Sequence, residues 1–240
     1  MKQLLAFIFI LFCANAASAQ FNDSTFYHST ITSTGSINKT NNGRSNLLNN
    51  VFNFGIKKKD IVLNTTNSFV YGNQNGVLTN RDFSSALDFN LYKSFHRFYY
   101  WGLLNYNTSY SLKINNEFLG GLGVAYRIVD NKNALISLSN GVLYDKSLLL
   151  GGYLNYSTYR NSFKLNFHFD INDLVIVDGN NVLQNSLNNS NDYIIQSATT
   201  VSVKLRKWIR LSSSLNYNKM NITSSQNMLI TYGLTFDKYF

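Results

Sequence analysis

The sequence predicts an all-β protein: one transmembrane antiparallel up-and-down β-barrel of about twelve strands. Three observations lead there. Long segments alternate apolar and polar residues at a period of two, as a strand with one greasy and one wet face must. The chain contains no proline, a residue that removes a donor from a β ladder. Only 14% of its residues are charged, against about 25% in a soluble domain, while aromatic residues reach 15%. A soluble sandwich needs a charged exterior, and the residues for one are missing. Aromatic richness also excludes a disordered chain.

The amino terminus reads as an address. Met1-Lys2 is a short positive start, Leu4 to Phe12 is apolar, and Ala17-Ser18-Ala19 offers small residues for cleavage, the order of a secretory signal peptide. The apolar run is half the roughly 18 residues a spanning helix needs. The expected organisation is a signal peptide over 1–19 and an outer-membrane barrel over 20–240. Cleavage takes Lys2, so the net charge falls from +9 to +8, and takes Cys13, the one cysteine. Disulfides and cysteine-type zinc sites are thereby excluded, and no cofactor or metal site is read from the remaining residues.

Taken in order, strands are expected near Tyr27–Ile37, Leu47–Lys57, Ile61–Tyr71, Arg81–Tyr92, Phe98–Tyr110 and Phe118–Ile128. The rest fall near Ala134–Tyr144, Leu148–Tyr159, Ser162–Asp173, Tyr193–Leu205, Ile209–Tyr217 and Met228–Phe240. Alternation is clearest in Phe163, Leu165, Phe167, Phe169 and Ile171 against Ser162, Lys164, Asn166, His168 and Asp170. Leu122, Val124, Tyr126 and Ile128 alternate in the same way with Gly121, Gly123, Ala125 and Arg127. Both faces are apolar in Phe98-Tyr-Tyr-Trp-Gly-Leu-Leu104, where the register stays open. Most of these segments exceed the roughly 5–6 residues of soluble strands and match the roughly 9–11 of a tilted membrane strand.

With the amino terminus in the periplasm, the periplasmic turns are Lys57–Asp60, Lys93–Arg97, Val129–Asn133, Tyr159–Asn161 and Leu205–Trp208, all short. The opposite side receives the three longest connections, Asn38–Asn46, Asn172–Asp192 and Asn218–Asn227, rich in Asn and Ser. Cations including Lys57, Lys58, Lys59, Arg160, Arg206 and Lys207 gather at the periplasmic turns and read as solvated turn charge.

The last strand carries Ile230, Tyr232, Leu234 and Phe236 at alternating positions, Gly233 between them, and ends in Phe240. This is similar to the carboxy-terminal signal by which outer-membrane barrels engage their insertion machinery; Lys238 departs from that pattern. Asn80 to Ser147 carries a second resemblance. Asn80-Arg-Asp-Phe83, Phe118-Leu-Gly-Gly-Leu-Gly-Val-Ala-Tyr-Arg127 and Leu138-Ser-Asn-Gly141 with Leu143-Tyr144 resemble the salt-induced outer-membrane-protein family (domain of unknown function 481). The resemblance implies a barrel of unassigned function in a Gram-negative outer membrane, and supplies no catalytic residue.

Twelve strands about 4.8 Å apart and tilted about 40° close at a backbone radius of about 12 Å. Inward side chains leave a narrow channel at most. The lumen-lining candidates are Asp88, Arg127, Lys164, Asn166, His168, Asp170, Lys204 and Arg210, among many Asn, Ser and Thr. Such a lining suits a passive pore for small polar solutes or ions, or a structural envelope protein closed by its own side chains. The alternative is a lipid-acting hydrolase using a lumen or rim histidine, His28, His96 or His168, with Asp170 two residues from His168. No Gly-x-Ser-x-Gly elbow accompanies them, so a non-catalytic role is favoured. The expected partners are the lipid bilayer with its lipopolysaccharide, the barrel-assembly machinery and small polar solutes. Nucleic acid is excluded because the positive charge is scattered over many turns.

Overall fold

The structure, a computed structural model, describes residues 25–40, 43–92, 97–149 and 155–239. The expected signal peptide, His96 and Phe240 lie outside them. Twelve strands follow one another: β1 (Thr25–Thr40), β2 (Gly43–Lys58), β3 (Ile61–Gln74), β4 (Val77–Leu91), β5 (Phe98–Ser109) and β6 (Ile114–Asp130), then β7 (Ala134–Leu149), β8 (Asn155–Ile171), β9 (Val175–Ser186), β10 (Tyr193–Arg206), β11 (Ile209–Met220) and β12 (Ser225–Tyr239). Each pairs antiparallel with its chain neighbours, and β1 pairs with β12 from His28↔Tyr239 to Gly35↔Tyr232, closing the sheet. Closure leaves no unpaired strand edge, a condition that hydrocarbon imposes on any sheet crossing it.

Strands of 12 to 17 residues exceed the roughly 9–11 residues that a tilted membrane strand needs. The hairpins are tight. Asn75-Gly76 takes positive φ at both positions (52° and 83°), as does Asn172-Asp173 (54° and 55°), the backbone that lets a short turn follow the twist of its strands. The side of the barrel holding both chain ends is called the terminal rim here, and the opposite side the far rim.

The apolar surface faces outward. Phe52, Phe69, Leu87, Leu104, Leu122, Phe163, Leu211 and Ile230 are all exposed, so the layered arrangement in which Phe163 would be buried between sheets does not occur. Aromatic pairs sit toward both rims: Phe98–Tyr126 (4.8 Å) and Trp208–Phe236 (6.2 Å) near the terminal rim, Tyr144–Tyr159 (5.3 Å) near the far one. These are the girdles a membrane barrel presents at its two interfaces. Polar residues on the outward face bond each other. Ser33 donates to Asn50 (2.8 Å), Ser85 to Asn67 (2.8 Å), Ser197 to Asn181 (2.7 Å) and Asn140 to Asn161 (2.8 Å). Self-pairing removes much of the cost of an amide in lipid.

Three expectations are corrected. The expected strands Leu148–Tyr159 and Ser162–Asp173 are the end of β7 and the single strand β8, and Tyr159–Asn161 lies inside β8 rather than in a turn. Arg160 therefore leaves the terminal rim. The expected long connection Asn172–Asp192 contains a whole strand, β9, paired on both sides. Asn38–Asn46 and Asn218–Asn227 are likewise mostly strand, and among the described residues the longest connection is the six residues between Ser186 and Tyr193. The physical reason is common to all three. Asn, Ser and Gly favour loops in a sequence taken alone, but a strand held on both sides by ladder hydrogen bonds continues without an apolar face. The strand total agrees because one division too many offset one strand missed.

Candidate functional site: the lumen

The alternation sends one side chain in two inward, and these inward groups define the site. On β8 the inward phase carries Tyr156, Thr158, Arg160, Ser162, Lys164, Asn166, His168 and Asp170, and on β6 Glu117, Leu119, Ala125 and Arg127. Tyr99, Trp101 and Leu103 point inward from β5, while Phe98, Tyr100 and Leu104 are exposed. This resolves the register that the sequence leaves open.

Two cavities occupy the lumen. The larger, about 840 Å³, fills the half toward the terminal rim and is lined by Asp88, Arg127, Lys164 and Asn166, with Asn64, Asn90, Trp101 and Ser137. The smaller, about 390 Å³, lies toward the far rim between Asp82, Asn107, Glu117, Gln196, Asn216 and Asn227. Their walls share Thr66. Around the waist the wall is knitted by short polar groups. Ser202, Ser212, Thr235 and Thr32 form a row of hydroxyls bonded across β10, β11, β12 and β1 at 2.8, 2.8 and 3.0 Å. On the opposite wall the Trp101 ring lies over Gly123 and Gly141, which face each other across β6 and β7. A Cβ on Gly123 would stand 2.6 Å from Trp101 Cζ2, so only glycine leaves room for the ring.

Charges in the terminal half come in compensated sets. Lys204 donates to Asp170 (2.7 Å), Arg210 to Asp237 (2.8 Å), and Arg127 pairs with Asp130 while lying 4.1 Å above the Tyr92 ring. Asp88 feels the attraction of Lys164. His168 Nδ1 meets Asp178 at 2.7 Å, across β8 and β9. Asp170, which the sequence offers as the partner of His168, is taken by Lys204 instead. Among the described residues no hydroxyl bonds His168, so the nucleophile a hydrolytic triad needs is not joined to it.

The far half holds a cluster that sequence reasoning missed. Arg160, fully buried, donates from Nε to Asp145 (2.7 Å) and from Nη1 to Asp192 (3.1 Å), with Nη2 3.1 Å from the second Asp192 oxygen in the same ion pair. Ser147 donates to Asp145 (2.5 Å), and the Tyr156 hydroxyl donates to Asp192. Asp192 belongs to the turn joining β9 and β10, which is thereby fastened to the lumen wall. Two carboxylates compete for one guanidinium there: burial, and then the Asp145 charge, push Asp192 up to a pKa of about 6. Beside them Glu117, 3% exposed, accepts from Asn107 (2.6 Å) through Oε2. The available signal was phase. Arg160 shares the inward phase of Lys164 and His168, and reading β8 as one strand would have placed it inside.

A closed β-barrel with an apolar exterior and a polar interior is built to cross a bilayer, as the barrels of outer membranes do. Solved structures with this architecture include the NanC porin, at 9% identity and a TM-score of 0.54 over 86% of this chain and 98% of that one. An outer membrane channel from Pseudomonas putida F1 aligns at 9% identity and a TM-score of 0.49 over 94% and 99%. The KdgM porin aligns at 11% identity and a TM-score of 0.46 over 87% and 98%. Among curated proteins none matches in sequence. A family model does match, over residues 33–229, which is most of the chain. On that match the protein belongs to the DUF481 family, proteins of unknown function.

Proposed function

We propose that this barrel is a narrow passive channel for small polar solutes or ions, with no catalytic role. The observation that carries this reading is the pair of lumen cavities, about 840 and 390 Å³, whose walls share Thr66. Both carry amide and hydroxyl groups, which exchange readily with a solute's hydration shell, beside apolar ones: Phe54 and Leu135 in the larger, and the buried cluster of Ile114, Ile194 and Met220 in the smaller. The waist is narrowed by the Trp101 ring on one wall and carries the short hydroxyls of Ser202, Ser212, Thr235 and Thr32 on the other, so water and small solutes are the species it would pass. The test is conductance of the refolded protein in planar bilayers. Discrete unitary currents are expected, and silent bilayers at protein densities where a porin control conducts would move the reading to a structural envelope barrel.

Two partner assignments accompany this reading. The outward ridge of β12, Ile230, Tyr232, Leu234 and Phe236, with Phe240 at its end, is the segment offered to the insertion machinery. Deletion of Phe240 should slow membrane assembly without altering the barrel once formed. Lipopolysaccharide would surround the far rim, where Lys39, Arg44 and Lys146 are exposed to meet its phosphates.

A further inference from the structure

The two halves of the lumen differ in charge balance. In the terminal half each inward carboxylate has a base at hand: Lys204 for Asp170, Arg210 for Asp237, His168 for Asp178 and Lys164 near Asp88. The far half has four inward carboxylates, Asp82, Glu117, Asp145 and Asp192, and Arg160 as the one inward cation among the described residues. The other cations at that height, such as Arg81, Lys146 and Lys219, occupy the outward phase of their strands.

Asp145 and Asp192 use Arg160 between them. Asp82 and Glu117 make no ion pair among the described residues, although Glu117 lies within the field of Arg160, and both line the smaller cavity. Asp82 accepts from Ser109 Oγ (2.9 Å), Ser111 N (3.1 Å), Ser111 Oγ (2.8 Å) and Asn80 (3.1 Å), a set of donors that fixes its orientation. Glu117 is buried and held by Asn107 through one oxygen, while Oε1 has no hydrogen-bond partner in the protein. An unpartnered carboxylate oxygen in a cavity wall is costly unless water or a cation meets it.

We infer that the far vestibule selects small cations, with Asp82 and Glu117 as the residues that set the preference. This deepens the channel reading and rests on it. Fixed negative charge in a low-dielectric constriction draws counter-ions in and repels anions. The compensated terminal half adds no equal field of opposite sign. The species favoured are hydrated monovalent cations and small organic ammonium ions, while carboxylated or phosphorylated solutes are repelled.

The experiment is a reversal-potential measurement on the refolded full chain across a tenfold KCl gradient. A potential favouring potassium over chloride, with a permeability ratio of about tenfold, is expected. Asp82→Asn and Glu117→Gln should each lower that ratio, and together bring it near parity. Gln196→Lys, which adds a cation to the same cavity without touching either carboxylate, should lower it independently if the double variant does not fold. Lys164→Gln, in the other cavity, should not lower it. Current without cation preference, or a ratio indifferent to Asp82, Glu117 and Gln196, overturns the inference and leaves the channel standing. Absence of current in every case overturns both.

Discussion

Arg160 and Asp145 are joined by a 2.7 Å ion pair between β8 and β7, and neither side chain reaches solvent. The same guanidinium holds Asp192. One residue thus links two strands of the wall to the turn between β9 and β10. Removing one partner of such a buried set leaves the others charged and unpaired, a cost of about 3–5 kcal/mol. Arg160→Met, which keeps length and loses charge, should lower the unfolding free energy by that order in urea titrations from phospholipid vesicles. A loss under about 1 kcal/mol would mean that the cluster is solvated and that the turn is not anchored by it.

Acid acts on the same cluster with a definite sign. Asp192 has a pKa of about 6 in the folded barrel against an ordinary value of 3.8, so the fold holds this proton more tightly than the unfolded chain does. Its contribution is complete below about pH 3.8 and is lost as pH rises through about 6. Measured between pH 7 and pH 4, wild type should therefore gain stability relative to Asp192→Asn as the medium is acidified. A gain in the opposite direction would show that Arg160 keeps Asp192 ionised throughout.

Trp101 reports on the waist. Its ring rests on Gly123 and Gly141, and a Cβ at Gly141 would meet the ring and stand 2.5 Å from the Leu122 carbonyl oxygen. Gly141→Ala should cost about 1–3 kcal/mol by overpacking and push the ring further into the lumen. In a Trp208→Phe background, where Trp101 is the sole indole, its emission should shift to the red. An unchanged spectrum with unchanged stability would refute the contact.

The lipid face can be probed at Leu122, which stands midway along β6 and is 72% exposed. Leu122→Arg should weaken folding into bilayers by about 2–4 kcal/mol, the cost of a cation near the midplane. Ser139→Arg, one strand away on the lumen-facing phase, should cost less in the same titration, since that charge remains in an aqueous cavity. Equal penalties would contradict the assignment of faces.

Much of this protein could be read from its residues in order. Phe163 to Ile171 and Leu122 to Ile128 alternate so regularly that strand type, facing and membrane setting follow, because the side-chain period of a strand is two and a membrane strand turns a mostly apolar face to lipid. The inward phase of Asp88, Arg127, Lys164 and Asn166 comes from the same rule. Where alternation fails, the sequence says less: in β9 the β-branched run Val175-Ile-Val177 gives way to Asp178-Gly-Asn-Asn181, with Gly179 on the lipid face capped by Phe167 and Asn181 paired to Ser197.

What periodicity cannot contain is which inward group meets which. That depends on the register between strands distant in sequence and on closure of β1 against β12. Register sends Asp170 to Lys204 and leaves His168 to Asp178; it brings Asp145, Arg160 and Asp192 together from two strands and a turn. Local pattern determined the faces of the wall, because facing is a property of each strand alone. Tertiary structure decided the charge balance of the two cavities, because a field is the sum over every strand that surrounds it.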